Sequence, residues 1–208
     1  MKVISVNVGL PKEIIGGGRS ITTGIIKNPV AGRVRVRTLN LDGDRQADLK
    51  VHGGVDKAVY VYPSEHYEFW EHELGEKLPW AAFGENLTVA GLLETTVSIG
   101  DQLAMGTAVL GVSQPRQPCY KLAAKFQRED IVQRFLDSRR TGFYARVLQE
   151  GEVQAGDPIT VVHEDPARVT IREIMDLYLT RHPDRKEVER VLSVSGLARS
   201  WHDHFLSV

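Results

Sequence analysis

The chain has 208 residues, of which 42% are hydrophobic and 25% are charged, and its formal net charge is −1. This composition excludes a disordered chain, and the near-neutral charge argues against binding of a nucleic-acid polymer. The N-terminal apolar stretch is too short for a signal peptide or a membrane span, so we expect a cytoplasmic protein that makes no membrane contact.

Short β-rich runs separated by glycines dominate the first three quarters of the chain. They cover 2–8, 33–38, 58–62, 102–112 and 159–163. In the second run Val34 and Val36 alternate with arginines, which is the pattern of a strand with one face in a core. We predict helices after Pro63 and after Pro118. The predicted fold class is therefore mostly β with inserted helices.

After residue 166 the pattern changes to three short amphipathic segments, each preceded by a residue that can cap a helix. The candidate caps are Thr170 with Glu173, Asp184 with Glu187, and Ser195. Helices this short are unstable alone, so their apolar faces should pack together or dock on the β domain. We predict a β domain over 1–166 and a three-helix unit over 167–208, which should be separable and should not line the functional pocket.

Cys119 is the only cysteine in the sequence, which excludes an intramolecular disulfide and fits a reducing compartment. It lies in the run Gln-Pro-Arg-Gln-Pro-Cys-Tyr-Lys-Leu at 114–122, where a helix is predicted to begin. A helix N-terminus, Arg116 and Lys121 together favour the thiolate, which is the form that acts as a nucleophile or soft-metal ligand. The alternative is a buried inert thiol, which usually has apolar neighbours.

Three earlier segments are candidates for the same pocket, and each also has a purely structural interpretation. They cover 23–30, 52–58 and 84–88. Lys27 precedes a turn and is interpreted as an anion contact or a solvated charge. The glycines of the second segment permit close approach to a ligand or simply connect two strands. By contrast, the glycine run at 16–20 lacks the ending of a phosphate-binding loop, and we interpret it as a flexible loop.

Taken in order, the motifs at 23–30, 52–63, 84–92 and 115–122 resemble the YiiM-like branch of the MOSC-domain family, and the resemblance continues into the helical tail. It implies a β-barrel-like MOSC domain with inserted helices, followed by a small three-helix C-terminal unit. It also implies a molybdopterin-type molybdenum cofactor with Cys119 as catalytic residue and molybdenum ligand, and not pyridoxal phosphate. The residues that it makes candidates for holding the cofactor are Arg116, Lys121, Lys27, Thr23, His52 and Asn86.

The reaction implied by the resemblance is the reduction of N-hydroxylated compounds, such as hydroxylaminopurines, to amines. The sequence has no flavin or nicotinamide fingerprint and no cysteine cluster, so a separate flavin or iron–sulfur reductase must donate electrons. Two alternatives stay open, namely a non-catalytic carrier of the cofactor or of sulfur, and sulfur transfer through a Cys119 persulfide without molybdenum. If Arg116 and Lys121 act only on a ligand, their alanine variants should melt near the wild type yet carry little pterin.

Overall fold

The structure, a computed structural model, describes residues 1–48 and 53–208 and consists mainly of β-strands, as predicted. The strands are β1 Lys2–Val8, β2 Lys12–Gly16, β3 Arg19–Thr23, β4 Asn28–Pro29, β5 Val34–Val36, β6 Val59–Pro63, β7 Leu87–Ala90, β8 Gln102–Met105, β9 Ala108–Pro115, β10 Phe143–Gln149, β11 Gly151–Val153 and β12 Ile159–His163. The helices are α1 His66–Leu74, α2 Tyr120–Phe126, α3 Ile131–Ser138, α4 Ile171–Leu179, α5 Arg185–Leu192 and α6 Arg199–Leu206. Within the described part of the chain, one 3-10 turn covers Val55–Lys57.

Eight strands form one sheet in the order β12-β8-β9-β10-β6-β7-β1-β4, in which only the β6–β7 pair is parallel. This order is open at both ends. However, the start of β12 and the segment before it bond to the start of the chain, with Val3 N 2.9 Å from Asp157 O and Ile159 N 3.1 Å from Met1 O. The predicted barrel-like form is therefore present as a curled sheet and not as a closed barrel. Among the described residues, β5 with β11 and β2 with β3 form two further small sheets.

One apolar cluster fills the inside of the sheet and continues into the C-terminal helices. Val6, Ile99 and Leu110 of the β domain belong to the same cluster as Ile174 and Trp201, and all five are at most 3% exposed. Such burial removes apolar surface from water on both sides of the contact. Residues 1–166 and 167–208 therefore share one hydrophobic core. The predicted boundary at residue 166 separates two units of sequence but not two cores, and it stays a prediction.

The C-terminal helices begin close to the predicted positions. Thr170 and Glu173 form the predicted capping box, in which Thr170 Oγ1 accepts a hydrogen bond from Glu173 N at 3.1 Å and Glu173 Oε2 accepts one from Thr170 N at 2.7 Å. Asp184 caps α5 through its carboxylate. The prediction that Ser195 caps the last helix is wrong, because α6 starts after Ala198 and has no side-chain cap.

The glycine run at 16–20 is a tight hairpin turn and not the flexible loop that we expected. β2 ends at Gly16, and Gly17 and Gly18 form a two-residue turn with φ of 56° and 74°. Two successive positive φ angles are the signature of a type I′ hairpin, which glycine adopts without strain. An added Cβ at Gly16 would lie 2.3 Å from Ala124 Cβ, so the hairpin lies directly against α2.

Candidate functional site

One cleft collects most of the residues that the sequence singled out. Its lining includes Thr23, Lys27, Asn86, Arg116, Cys119 and Lys121. The seventh candidate, His52, lies outside the described residues. The cleft opens to solvent, and its empty space together with the open mouth is about 640 Å³. Six side chains from three separate segments thus face one space.

Lys27 reaches the cleft as half of a buried ion pair. Its partner is Asp44, and the two side chains are 7% and 0% exposed. Asn86 Nδ2 donates to Asp44 Oδ2 at 2.9 Å, and Gly9 N donates to Asp44 Oδ1 at 3.0 Å. Burial lowers the pKa of Lys27, and the attraction of Asp44 opposes this shift. Asp44 therefore holds Lys27 and Asn86 together. It is not predicted from the sequence, because it lies in a turn outside every motif.

Thr23 has a local structural contact in addition to its place in the cleft. It is 1% exposed, and its Oγ1 accepts a hydrogen bond from Ile25 N at 3.1 Å. This bond folds the chain just after β3 into a turn of the kind that serine and threonine hydroxyls stabilise. Thr23 thereby shapes the loop that leads to Lys27.

Arg116 is a buried cation, and one nitrogen of its guanidinium has no hydrogen-bond partner among the described residues. Its guanidinium carbon lies 4.9 Å from the ring centroid of Tyr60 and 5.2 Å from that of Phe135, and the residue is 5% exposed. Within residues 1–48 and 53–208, its Nη1 has no hydrogen-bond partner. A buried donor without an acceptor costs free energy, roughly 1–3 kcal/mol or more for a charged group, so Nη1 suits an acceptor on a ligand in the cleft.

The burial of Arg116 and Lys121 changes one expectation. They are 5% and 7% exposed, so they are not the solvated surface charges whose removal leaves the melting temperature unchanged. Truncation of Arg116 to alanine also removes its packing against two aromatic rings. The expectation that Arg116→Ala melts near the wild type assumed a solvated surface charge. This assumption is wrong, because Arg116 is buried.

Cys119 lies half-buried at the N-terminal cap of α2. Lys57 of the 3-10 turn lines the same cleft, and its ammonium interacts electrostatically with the Cys119 sulfur. Burial lowers the pKa of Lys57, while Asp56 and Cys119 raise it. Lys57 is not among the site residues predicted from the sequence, in which only the glycines of its segment indicate contact with a ligand. The structure adds this cation to Arg116 as a charge near the sulfur.

A second cleft shares Cys119 with the first. Its lining includes Lys57, Gln114, Tyr144 and Trp201. Trp201 belongs to α6 and is 3% exposed, with its ring centroid 5.1 Å from that of Tyr178 on α4. The described lining of the first cleft contains no residue of the C-terminal unit, so the expectation that this unit does not contribute to the cofactor pocket stays a prediction, although Trp201 lines the second cleft beside Cys119.

Lys125 of α2 is a partly buried cation that anchors a loop of the first cleft. Its Nζ donates to Ala81 O at 2.6 Å and to Ile25 O at 3.3 Å. Burial lowers its pKa to about 8; Glu85 opposes this shift, and the nearby cations Arg116 and Lys27 add to it. The folded chain therefore holds this proton less tightly than the unfolded chain.

We expect the stability of the cofactor-free protein to contain a contribution from Lys125 that rises with pH. Folding lowers this pKa from 10.5 to about 8, so between these values the unfolded chain binds more protons and the free energy of unfolding increases with pH. Urea unfolding across this range should show the wild type gaining stability relative to Lys125→Met. The exposed Lys186→Met is the matched control, and an equal pH dependence in all three proteins would contradict the prediction.

The comparisons with known proteins agree with this geometry. Residues 48–160 match the MOSC domain, and residues 169–207 match the YiiM-like, 3-alpha helix domain. The chain belongs to the MOSC domain family. This MOSC protein is 44% identical over 204 residues to YflK of Bacillus subtilis (strain 168), a match that covers 98% of this chain and 92% of that protein. The crystal structure of YiiM from Geobacillus stearothermophilus is 37% identical, with a TM-score of 0.84 and coverage of 99% of this chain and 97% of that one.

The predicted resemblance to YiiM-like MOSC proteins is thus confirmed, together with the fold. A further relative, named "Reductase", comes from Gibberella moniliformis (strain M3125 / FGSC 7600) and is 30% identical over 184 residues. That match covers 86% of this MOSC protein but 32% of the relative, which is much longer. In the part of the chain that the structure describes, every helix is too short or too polar to cross a membrane.

Proposed function

We propose that this MOSC protein binds a molybdopterin-type molybdenum cofactor in the first cleft, with Cys119 as a molybdenum ligand, and reduces N-hydroxylated compounds to amines. The observation that carries the proposal is the buried Arg116 guanidinium, whose Nη1 has no partner among the described residues and which shares a cleft with a half-buried cysteine. Membership of the MOSC family and the relative named as a reductase support the redox assignment.

The charges of the cleft fit an anionic cofactor. Among the described residues that line it, the cations are Lys27, Arg45, Lys57, Arg116 and Lys121, and the one carboxylate is that of Asp44. The Asp44 carboxylate is already engaged by Lys27 and Asn86. The remaining positive charge favours a phosphate group, and guanidinium and ammonium donors are the usual protein partners of phosphate.

The side chains of the cleft divide between binding and ligation. Arg116 and Lys121 would hold the anionic part of the cofactor, and Lys27 and Asn86 would contact it while Asp44 keeps them in place. The Cys119 thiolate suits a soft metal. When bound, the cofactor supplies the two-electron redox chemistry. With a single cysteine, the sequence lacks the ligands for a cysteine-bound iron–sulfur cluster, so the proposal includes a separate flavin or iron–sulfur reductase as electron donor.

The decisive test is metal and pterin analysis of protein made in cells that supply the cofactor. We expect molybdenum and pterin in equal amounts, and turnover of a hydroxylaminopurine with an artificial electron donor. Protein from cells unable to make the cofactor is the control and should show neither. Bound molybdenum without turnover would indicate a carrier, and a Cys119 persulfide without molybdenum would indicate sulfur transfer. Absence of both metal and pterin from the loaded preparation would contradict the proposal.

A further inference from the structure

We propose that the second cleft beside Cys119 is the substrate site, that it takes an uncharged planar ring compound, and that Gln114 and Trp201 determine its specificity. The inference rests on the proposed function in one respect, namely that the reduction takes place at Cys119. It gives the two clefts different ligands, the anionic cofactor in the first and the substrate in the second. Among the described residues, Gln114 and Trp201 line the second cleft and are absent from the lining of the first.

The two clefts have a wall in common. Cys119 and Tyr144 line both of them. Tyr144 belongs to β10 and pairs with Gln114 of β9, so the strands of the central sheet carry this wall. A reaction between two bound groups requires that both be held close to the same point. A compound in the second cleft lies beside the same cysteine as a cofactor in the first, which meets this requirement.

The two clefts differ in charge. Lys57 lines both, whereas the four other cations line only the first, namely Lys27, Arg45, Arg116 and Lys121. The rest of the described lining of the second cleft consists of glutamine, proline, cysteine, tyrosine and tryptophan residues. A charged ligand loses its hydration in such a space, and this loss is costly unless opposite charges replace the water. The anionic part of the cofactor therefore belongs in the first cleft, and the second suits an uncharged compound.

The Gln114 amide is held in place and keeps hydrogen-bonding capacity for a ligand. It is 1% exposed, and its Nε2 donates to Asp56 O at 3.1 Å. Ser200 Oγ lies 3.5 Å from Gln114 Oε1, which is a long contact. A primary amide has two N–H donors and an oxygen with two lone pairs, so one donor and acceptor capacity remain. A donor and an acceptor side by side are the groups with which glutamine binds the edge of an adenine ring.

Trp201 gives the second cleft an aromatic wall and a further donor. It is 3% exposed, and its ring centroid lies 5.1 Å from that of Tyr178 and 6.0 Å from that of Phe205, so its neighbours hold the indole in place. Within residues 1–48 and 53–208, no hydrogen bond engages its Nε1, so this N–H can serve a ligand. Aromatic side chains are common contacts of nucleobase rings. The wall therefore favours a planar ring compound over an aliphatic one.

The test is calorimetric titration of a hydroxylaminopurine into full-length protein from cells that supply the cofactor, with no electron donor present, so that the compound is bound but not reduced. The wild type should bind it saturably. Trp201→Phe removes the indole N–H and keeps an aromatic ring, and Gln114→Leu removes the amide at similar volume. Each should weaken binding roughly three- to tenfold, which is the size of the loss of a neutral hydrogen bond. The molybdenum and pterin contents of both variants should equal those of the wild type.

Two matched controls separate contact with the ligand from damage to the surrounding structure. Phe205→Leu disturbs the packing of the same helix as Trp201→Phe. Ser113→Ala removes the other side-chain hydrogen bond to the Asp56 carbonyl, which Ser113 Oγ donates at 2.7 Å. Neither Phe205 nor Ser113 belongs to the described lining of either cleft. Both controls should therefore bind the hydroxylaminopurine as tightly as the wild type.

Absence of saturable binding by the wild type, up to the solubility limit of the compound, would overturn the proposal. Binding that neither test variant weakens more than its control would overturn it too. Loss of molybdenum and pterin from the test variants would instead assign the second cleft to the cofactor. Should Trp201→Phe fail to fold, Gln114→Leu with its control decides alone. The titration needs no turnover and can be repeated on protein without molybdenum, so this proposal and the proposed function can fail separately.

Discussion

Cys119→Ser should lose molybdenum and reductase activity by more than about 100-fold while its melting temperature stays within a few degrees of the wild type. Changes to groups that merely support a metal ligand already cost roughly 10–100-fold, and a hydroxyl is a poor ligand for a soft metal. Stability should survive because Cys119 is half-buried at the helix cap and lacks a side-chain cap bond, and serine is a favourable residue at that position.

Three measurements on this variant check the prediction, namely molybdenum content, the reduction rate with a saturating artificial donor, and the melting temperature. Tyr120→Phe is the matched control, because the neighbouring ring is 60% exposed and its hydroxyl has no proposed role. A Cys119→Ser protein that melts lower but reduces substrate at the wild-type rate would identify Cys119 as a structural residue and end the ligand hypothesis.

Strands whose apolar residues alternate or form clear runs could be predicted from the sequence. β1 and β12 have the predicted bounds, and Val34 and Val36 of β5 are buried between exposed arginines. β10 was not predicted, because its residues show no simple alternation. Its strand conformation follows from pairing with β9 on one side and β6 on the other. Such strands form because they pair with strands distant in sequence, and the local sequence pattern does not reveal these partners.

The same distinction between local sequence patterns and tertiary contacts applies to the residues of the site. Arg116 and Lys121 flank Cys119 within one motif, so charge near a cysteine was sufficient to suggest them. Asp44 and Lys57 reach the cleft through an ion pair and a turn that depend on tertiary structure. The Gly17-Gly18 turn is different, since a pair of glycines between alternating residues is a hairpin signal that was present in the sequence and was misinterpreted.

Deletion of residues 167–208 should prevent the β domain from folding cooperatively, which is the opposite of the separability predicted from the sequence. The deletion removes Val169, Ile171, Ile174, Trp201 and Phe205, which are at most 3% exposed and belong to the shared core. Burial of a large apolar side chain contributes about 1.5–3 kcal/mol, while a whole domain is stable by only about 5–15 kcal/mol. Loss of several such side chains therefore exceeds what the remaining domain can tolerate.

The truncated chain should accumulate as aggregate or lack a sharp unfolding transition in near-ultraviolet circular dichroism, because the face of the sheet that the helices cover becomes exposed apolar surface. A chain that lacks only the exposed residues 207 and 208 is the matched control and should behave as the wild type. A truncated protein that unfolds cooperatively and still retains molybdenum would show that 1–166 is an autonomous domain.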